Sequence, residues 1–486
     1  MNILYLVQKD LDLKIISELV NLGHSVETVC FRHRDYLEAK QKGLSGLISF
    51  PEYWKEIVES NISPEIRNIQ LRELVNKYSL RNIARYSFLD LSRSRKPNID
   101  LSDDEEITYS LIKMFNDLDV GRFDFCVGEL SKSFNLICYD ICKKENVEYL
   151  HYINANFEKG MLFTDDKFNI VTLDKRWDEL CEEEKNLNIE FVKNKVSKFK
   201  ENPVYTLTSI NKKSVSLGTF ISRLVMRLKV LRLEIESYGV DKLYRIDQYY
   251  VNPIKRFISN NKLFNYKLFI NKMKWEQIGE TALPEEDYFY FSLHVQPETT
   301  TSLYSEYLID DFSQQGWLIE QLAKQLPQGT RLLVKDHPYM LDKRMAKLYQ
   351  RLASYPQVCF MVPWYNQFDI IKNSKGVITA VGTVGVEARM LDKPVCLLEN
   401  TYYSSMNVFA ADAVKQVQIF YNEMLGSSVE SQQIDENEIV FLSKLKNAIY
   451  EGVENAIIEF FPGQESKDNI NKLIDGILKE YEYRKQ

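Results

Sequence analysis

The sequence predicts an α/β protein built on parallel sheets, and three features carry that reading. Between Arg331 and Glu399, short apolar runs end at Gly, Pro or charged residues and alternate with helix-length segments, the pattern of βα units. The same strand–helix–strand rhythm opens the chain and returns at 123–152. No apolar run approaches the roughly 20 residues that cross a bilayer, so these runs read as buried strands. At 486 residues the chain has room for two or three domains, each with its own core.

Residues 2–7 read as a first strand and 10–22 as a helix with Leu11, Leu13, Ile15, Ile16, Leu19 and Val20 on its apolar face. Gly23 ends that helix and 26–31 form the next strand. There is no GxGxxG run, which argues against a dinucleotide cofactor. Residues 36–115 are polar and helix-rich. A second unit begins with strand 123–129, continues through a helix to Cys142 and ends in strand 147–152. Residues 180–200 read as a charged, solvated helix. Between 211 and 275 there are 14 Lys and Arg against 4 Asp and Glu, a net +10, with Arg223, Arg227, Lys229 and Arg232 set among Leu and Val. Such a segment suits an anionic membrane surface, or an insertion packed on the first domain with a solvated basic face.

Past Pro284–Asp287, strands are expected at 288–293, 331–335, 358–362, 376–380 and 394–398. Helices are expected at 313–325, 341–354, 366–374 and 384–392, and 436–486 is helical with a break at Phe461-Pro462-Gly463. The chain therefore divides into 1–175, 176–283, 284–435 and 436–486.

In parallel sheets, ligands bind at the carboxyl ends of strands, so the residues there are the site candidates. Lys335-Asp336-His337-Pro338 follows one strand and Gly382-Thr383 with Gly385 follows another. The glycines let the backbone approach a ligand, and the turn's N–H groups with the Thr383 hydroxyl suit a phosphate. Lys335 and His337 offer charge-assisted hydrogen bonds to that phosphate, and His337 is a candidate to protonate a leaving phosphate. Read singly, Thr383 is also an ordinary helix cap and His337 an ordinary loop histidine. Gln296 and Glu298, after strand 288–293, are candidates for phosphate or sugar hydroxyls, with Glu298 a possible base or simply part of a polar loop. Glu129 ends strand 123–129 and reads either as a general base or as a charge favoured by its helix dipole. Trp364 is placed to stack on a base or to pack. Glu387 suits ribose hydroxyls or its helix's first turn.

The Lys-Asp-His-Pro run, the run Thr379-Ala380-Val381-Gly382-Thr383-Val384-Gly385-Val386-Glu387-Ala388, the Lys393-Pro394-Val395 run and Tyr288–Glu298 resemble bacterial capsule and surface polysaccharide glycosyltransferases. The resemblance covers 280–405 well and the N-terminal half in outline. It implies a GT-B-like fold: two Rossmann-like domains facing across a cleft, with a helical insertion and a C-terminal helix returning to the N-domain. It makes 1–175 the acceptor domain and 284–435 the nucleotide-sugar domain. It also implies a CMP-activated sugar such as Kdo or a sialic-acid-like sugar, held by a His-Pro motif. Here Gly382-Thr383 stands where sialyltransferases carry paired serines. The partners implied are a nucleotide-sugar donor and a glycan or lipid-linked acceptor.

Two Asp-x-Asp runs, Asp10-Leu11-Asp12 and Asp117-Leu118-Asp119, lie in the N-terminal half, outside the expected nucleotide domain. A positively charged phosphate site is therefore expected to replace a metal, with no cofactor. The alternatives are a glycerophosphotransferase using a CDP-linked donor and a non-catalytic glycan-binding protein of the same fold. A net charge of -7 argues against nucleic acid as partner. Seven cysteines without a CxxC pair read as reduced, mostly buried thiols. The N-terminal stretch lacks the basic flank of a signal peptide, so the expected location is the cytoplasm, peripheral on the inner face of the inner membrane if the basic segment binds lipid.

Overall fold

A computed structural model describes residues 1–9, 11–80, 101–155, 157–204, 230–239, 275–294, 311–337, 355–411, 414–426, 433–453 and 465–486, with a few single residues between them. The first unit runs β1 (Asn2–Val7), α1 (Asp12–Asn21), β2 (Ser25–Cys30), α2 (His33–Gln41), β3 (Leu47–Ser49), α3 (Phe50–Glu59), α4 (Pro64–Tyr78) and α5 (Leu101–Asp117). It continues with β4 (Phe125–Val127), α6 (Ser133–Glu145), β5 (Glu148–Asn154), β6 (Met161–Thr164), α7 (Leu173–Asp178) and α8 (Glu182–Glu201). Its six strands lie in the order β3-β2-β1-β4-β5-β6, parallel except for the β5–β6 pair.

β1 shows why this sequence makes a central strand. All of Ile3 to Val7 is buried: Ile3, Tyr5 and Val7 face a core shared with α1, while Leu4 and Leu6 face one shared with α5 and α6. A continuous apolar run is what a parallel strand covered on both faces requires.

The second unit holds β7 (Tyr288–Ser292), α9 (Asp311–Lys324), β8 (Arg331–Lys335), β9 (Val358–Met361), α10 (Gln367–Asn373), β10 (Gly376–Thr379), α11 (Val384–Met390), β11 (Val395–Leu397), β12 (Phe409–Ala410) and α12 (Val417–Gly426). Its six strands are all parallel, in the order β12-β11-β10-β7-β8-β9. The chain closes with α13 (Glu436–Ala448) and α14 (Lys467–Lys485). The fold is thus the expected α/β pair of Rossmann-like sheets, and α14 returns to the first unit. There Ile470, Leu473, Ile474, Ile477 and Tyr481 complete the core beneath β1, and Tyr481 lies 4.5 Å from Phe125, ring to ring.

Three readings need correction. The α8 helix is not simply solvated: Val192, Val196 and Phe199 are buried, and Phe199 meets Phe368 of α10 edge-on at 5.4 Å. Lys200 of α8 also pairs with Asp392 at 2.6 Å, so α8 braces one unit against the other. The short strands β3 and β12 lie where helix or loop was expected, and β6 pairs antiparallel with β5 where no strand was expected. The helix expected at 341–354 falls largely outside the described residues, as does most of the basic segment, including Arg223 and Arg227. Within that segment, 230–239 is helical, Glu234 pairs with Arg34 of α2 at 3.3 Å, and Arg232 is exposed. No helix among the described residues is long and apolar enough to cross a membrane.

The α11 helix is tied to α13 by a buried ion pair. Arg389 donates to both carboxylate oxygens of Glu438 at 2.7 and 2.6 Å, each side chain being 2% exposed. Glu438 also accepts the backbone amides of Asn407 and Asp435, so its charge is fully solvated by the protein. Since α13 packs on α7 and α8, this pair connects the second sheet to the first. Arg389→Leu, which leaves Glu438 buried without its cation, is expected to cost about 3–5 kcal/mol in urea unfolding. Removing both charges, with Arg389→Leu and Glu438→Leu, is expected to recover most of that loss.

Candidate functional site

In each sheet the strand order reverses direction at one place. In the first it is between β1 and β4; in the second, between β7 and β10. A crevice opens at the carboxyl ends of strands at such a point, because the connecting segments leave in opposite directions.

At the second reversal, His294 follows β7 and Thr379 ends β10. Their side chains meet across the crevice, with His294 Nε2 3.2 Å from Thr379 Oγ1. Both are buried. The Thr379 hydroxyl also accepts the Gly382 N–H at 3.0 Å, closing the turn out of the strand. The Gly382 carbonyl in turn accepts from the Tyr403 hydroxyl and from the Gly385 amide.

These contacts revise the role of the glycines. A Cβ on Gly385 would stand 2.5 Å from the Tyr403 hydroxyl and 2.7 Å from its ring. A Cβ on Gly382 would stand 2.7 Å from Thr379 Oγ1. Both positions are kept small by side chains packed inside the protein, rather than by an approaching ligand. The Gly382 amide is spent on Thr379. Thr383 stands at the cap position before α11 but makes no side-chain capping bond, so the capping reading fails. Tyr403 lies wholly buried under the turn.

On the adjoining strand, Lys335 ends β8 and is 3% exposed. Among the described residues its ammonium has no hydrogen-bond or ion-pair partner. Burial pulls its pKa down to about 8, and the charges of Asp336 and Glu387 only partly offset this. Glu387, on α11, accepts from Gln367 Nε2 at 2.7 Å, and desolvation raises its pKa to about 7. In the next loop the buried Asp336 accepts the His337 amide at 2.7 Å, which leaves the His337 side chain at the surface. A buried cation with hydrogen-bonding capacity to spare is the chemistry of an anion site.

Trp364, after β9, is 44% exposed, so it is not the packed residue one reading made it. Asn366 caps α10 by accepting the Phe368 amide at 3.1 Å. Gln296, Glu298 and Pro338 lie outside the described residues. The second sheet therefore brings Lys335, His337, Gly382, Thr383, Gly385 and Glu387 to the carboxyl ends of neighbouring strands. His294 and Thr379 were not singled out from sequence. The one available signal was a histidine immediately after an apolar strand.

Glu129 belongs to the other reversal point, between β1 and β4. There Gln8, Lys9, Asp12, Gly128, Glu129 and Tyr152 help line a small pocket. Lys9 pairs with Glu129 at 3.3 Å and lies 5.5 Å above the Tyr152 ring. Asp12 is clasped by the amides of Gln8 and Lys9 at 2.8 Å each, so it stabilises the loop after β1 as well as the first turn of α1. Under Glu129, the Leu130 amide donates to Nδ1 of buried His151 at 3.1 Å. Desolvation pulls His151 to about 4, so it is neutral at physiological pH. A carboxylate in a polar pocket, on a turn pinned from beneath, is suited to accept a proton from a hydroxyl.

The cysteines behave as expected: all seven are free thiols and only Cys181 is exposed. Cys126, Cys138 and Cys142 meet in the core at Sγ–Sγ distances of 3.6 and 3.9 Å. Burial pushes Cys126 and Cys138 up, keeping them protonated.

Solved structures with a similar chain path share little sequence. KpsC of Thermosulfurimonas dismutans, described as a beta Kdo 2,7 transferase, is 12% identical over 45% of this chain and 63% of that one, with a TM-score of 0.24. This chain therefore spans less than two thirds of that protein. The structure described as the beta Kdo 2,4 transferase of the same KpsC is 10% identical over 73% of this chain and 87% of that one, at 0.35. Alr3699/HepE of Anabaena, solved with UDP-glucose, is 9% identical over 99% and 100%, at 0.26. Likenesses this weak say nothing of activity. No curated protein matches the chain. Residues 248–416 match a family model described as capsule polysaccharide biosynthesis protein. That span encloses Lys335, His337, Gly382, Thr383, Gly385 and Glu387 but not Glu129. That match takes in all six strands of the second sheet and the crevice at its strand-order reversal.

Proposed function

We propose that the protein is a glycosyltransferase of capsule or related surface glycan synthesis, which takes its sugar from a nucleotide donor bound at the second sheet. The observation that carries this reading is Lys335: a buried ammonium without a protein partner among the described residues, at the carboxyl end of β8, one strand from the order reversal of a segment matched to the capsule family. A donor phosphate would supply the missing charge. As the glycosidic C–O bond breaks, negative charge builds on the leaving phosphate oxygen, and Lys335 with the free amides of the turn would receive it in place of a metal ion. His337, exposed beside them, would hydrogen-bond or protonate that oxygen. Trp364 would stack on the base and Glu387 would hold the ribose. Glu129 or Glu298 would take the acceptor's proton.

The preferred donor is a CMP-linked ulosonic acid such as Kdo, and the acceptor a glycan or lipid-linked glycan. The acceptor would be held by 1–175 and the donor by 284–435. The working location is the cytoplasm, with the basic segment as a possible contact to anionic lipid.

Incubation with CMP-, CDP- and UDP-linked donors, followed by assay of released nucleotide, tests the reading. CMP at about 100 times its dissociation constant should stabilise the fold by roughly 2.7 kcal/mol without divalent metal. Stabilisation by UDP but not by CMP or CDP would overturn the cytidine assignment. A CDP-glycerol donor turned over in place of a CMP-sugar would make it a glycerophosphotransferase. Turnover of none would leave a glycan-binding protein.

Lys335 gives this binding a pH signature. Its pKa of about 8 lies below the ordinary 10.5, so between these values the folded protein holds fewer protons than the unfolded chain. The burial cost is thus full below about pH 8 and is relieved as pH rises. Phosphate binding needs the ammonium, so nucleotide affinity should be flat for this group below pH 8. Above it, affinity should fall by up to about tenfold per pH unit. Calorimetry from pH 7 to 10 measures this, and Lys335→Met should remove both the affinity and the slope.

His337→Ala should lower turnover by about a hundredfold or more. Because His337 is exposed, its melting temperature should stay near that of the wild type. Near-normal turnover would remove His337 from the site.

A further inference from the structure

Gly382 is held on both faces. Its N–H is taken by the Thr379 hydroxyl, and its carbonyl by the hydroxyl of wholly buried Tyr403. Thr379 Oγ1 also lies within hydrogen-bond distance of His294 Nε2, at 3.2 Å, so the Thr379 side chain is held from two sides. The consequence falls on the next peptide. A trans peptide is planar, with its C=O and N–H pointing in opposite directions. With the Gly382 carbonyl drawn inward to Tyr403, the Thr383 N–H must point away from the interior.

We propose that Tyr403 is a positioning residue: its hydroxyl, with the Thr379–His294 pair on the other face, fixes the Gly382–Thr383 peptide so that the Thr383 amide is presented to an anionic oxygen of the ligand. The proposal rests on the nucleotide reading above and names what orients the donor there. A separate observation points to a ligand at the same crest, since Lys335 is 97% buried and unpaired among the described residues, while its charge reaches Glu387 on the helix that follows the turn. The arrangement also accounts for Gly385, where any side chain would push the Tyr403 ring out of place.

The test uses two small changes in the full chain. Tyr403→Phe keeps the ring under Gly385 and deletes only the hydroxyl. Thr383→Pro deletes the amide hydrogen itself, at a residue whose φ of -60° is already that of proline. Binding of CMP and of UDP is measured by calorimetry, with melting temperatures on the same preparations. The expected result is that each variant weakens nucleotide binding by about tenfold, the scale of one hydrogen bond to a charged group. The double variant should be no worse than Thr383→Pro alone, because Tyr403 acts through that amide.

His294→Gln, which keeps a hydrogen-bonding group near the position of Nε2, should bind better than His294→Phe. Wild-type affinity in Tyr403→Phe with weakened binding in Thr383→Pro overturns the clamp and leaves the site standing. Wild-type affinity in both variants removes this turn from the phosphate site and leaves the nucleotide reading standing, whereas no binding of CMP or UDP by the wild type overturns that reading itself. A fall in melting temperature at unchanged affinity makes Tyr403 a packing residue only. Should Thr383→Pro fail to fold, the contrast of Tyr403→Phe and the two His294 variants with the wild type decides.

Discussion

The pair Arg389–Glu438 is the constraint on which the two-sheet arrangement depends. It sits where helix α11, leaving the candidate site, meets helix α13, which packs on the first unit. Two charges removed from water are tolerated here because both carboxylate oxygens receive guanidinium hydrogens and further backbone amides. A pair of apolar residues would fill the space as well but would not fix an orientation. A bidentate guanidinium–carboxylate contact has one good geometry, and that geometry sets the angle at which α11 approaches α13. The Phe199–Phe368 and Phe168–Tyr402 ring contacts lie between the same two units and add area without direction.

Much of the fold was legible because a parallel sheet writes itself into sequence as continuous apolar runs. β1 and β8 fall on the residues expected, and most other strands within one or two. What could not be read were contacts whose partners are far apart in the chain. Val192, Val196 and Phe199 form too narrow a stripe among charges to announce a buried face, because that face meets another unit's helix and not α8's own sheet. Three-residue β3 and two-residue β12 are too short to carry a period.

At the site, the residue types that bear charge were found from their places after strands. The residues that hold them were missed. His294 reaches Thr379 from 85 positions away, and Tyr403 reaches Gly382 from 21. Gly385 shows the limit most clearly. Its smallness was visible, but whether a ligand or a tyrosine filled the space beside it was not. Both crests use one construction, a buried histidine from a neighbouring strand that secures a turn beneath the reactive groups: His151 directly through the Leu130 amide, and His294 through Thr379. Lys335, at the end of β8, is costly to bury, since desolvation acts against its charge.

The return of α14 has a consequence for how the protein is made. The face of β1 and β4 that carries Ile3, Tyr5, Val7 and Phe125 is closed in part by Leu473, Ile474, Ile477 and Tyr481. A ribosome reaches those residues more than 300 positions after β5, on the order of tens of seconds later at ordinary rates of synthesis. Throughout that interval the first sheet exists with an apolar surface it cannot cover by itself. The order of manufacture therefore runs against the order of assembly, and the earliest-made half of the molecule waits, exposed to aggregation and to chaperones, for α14 to arrive.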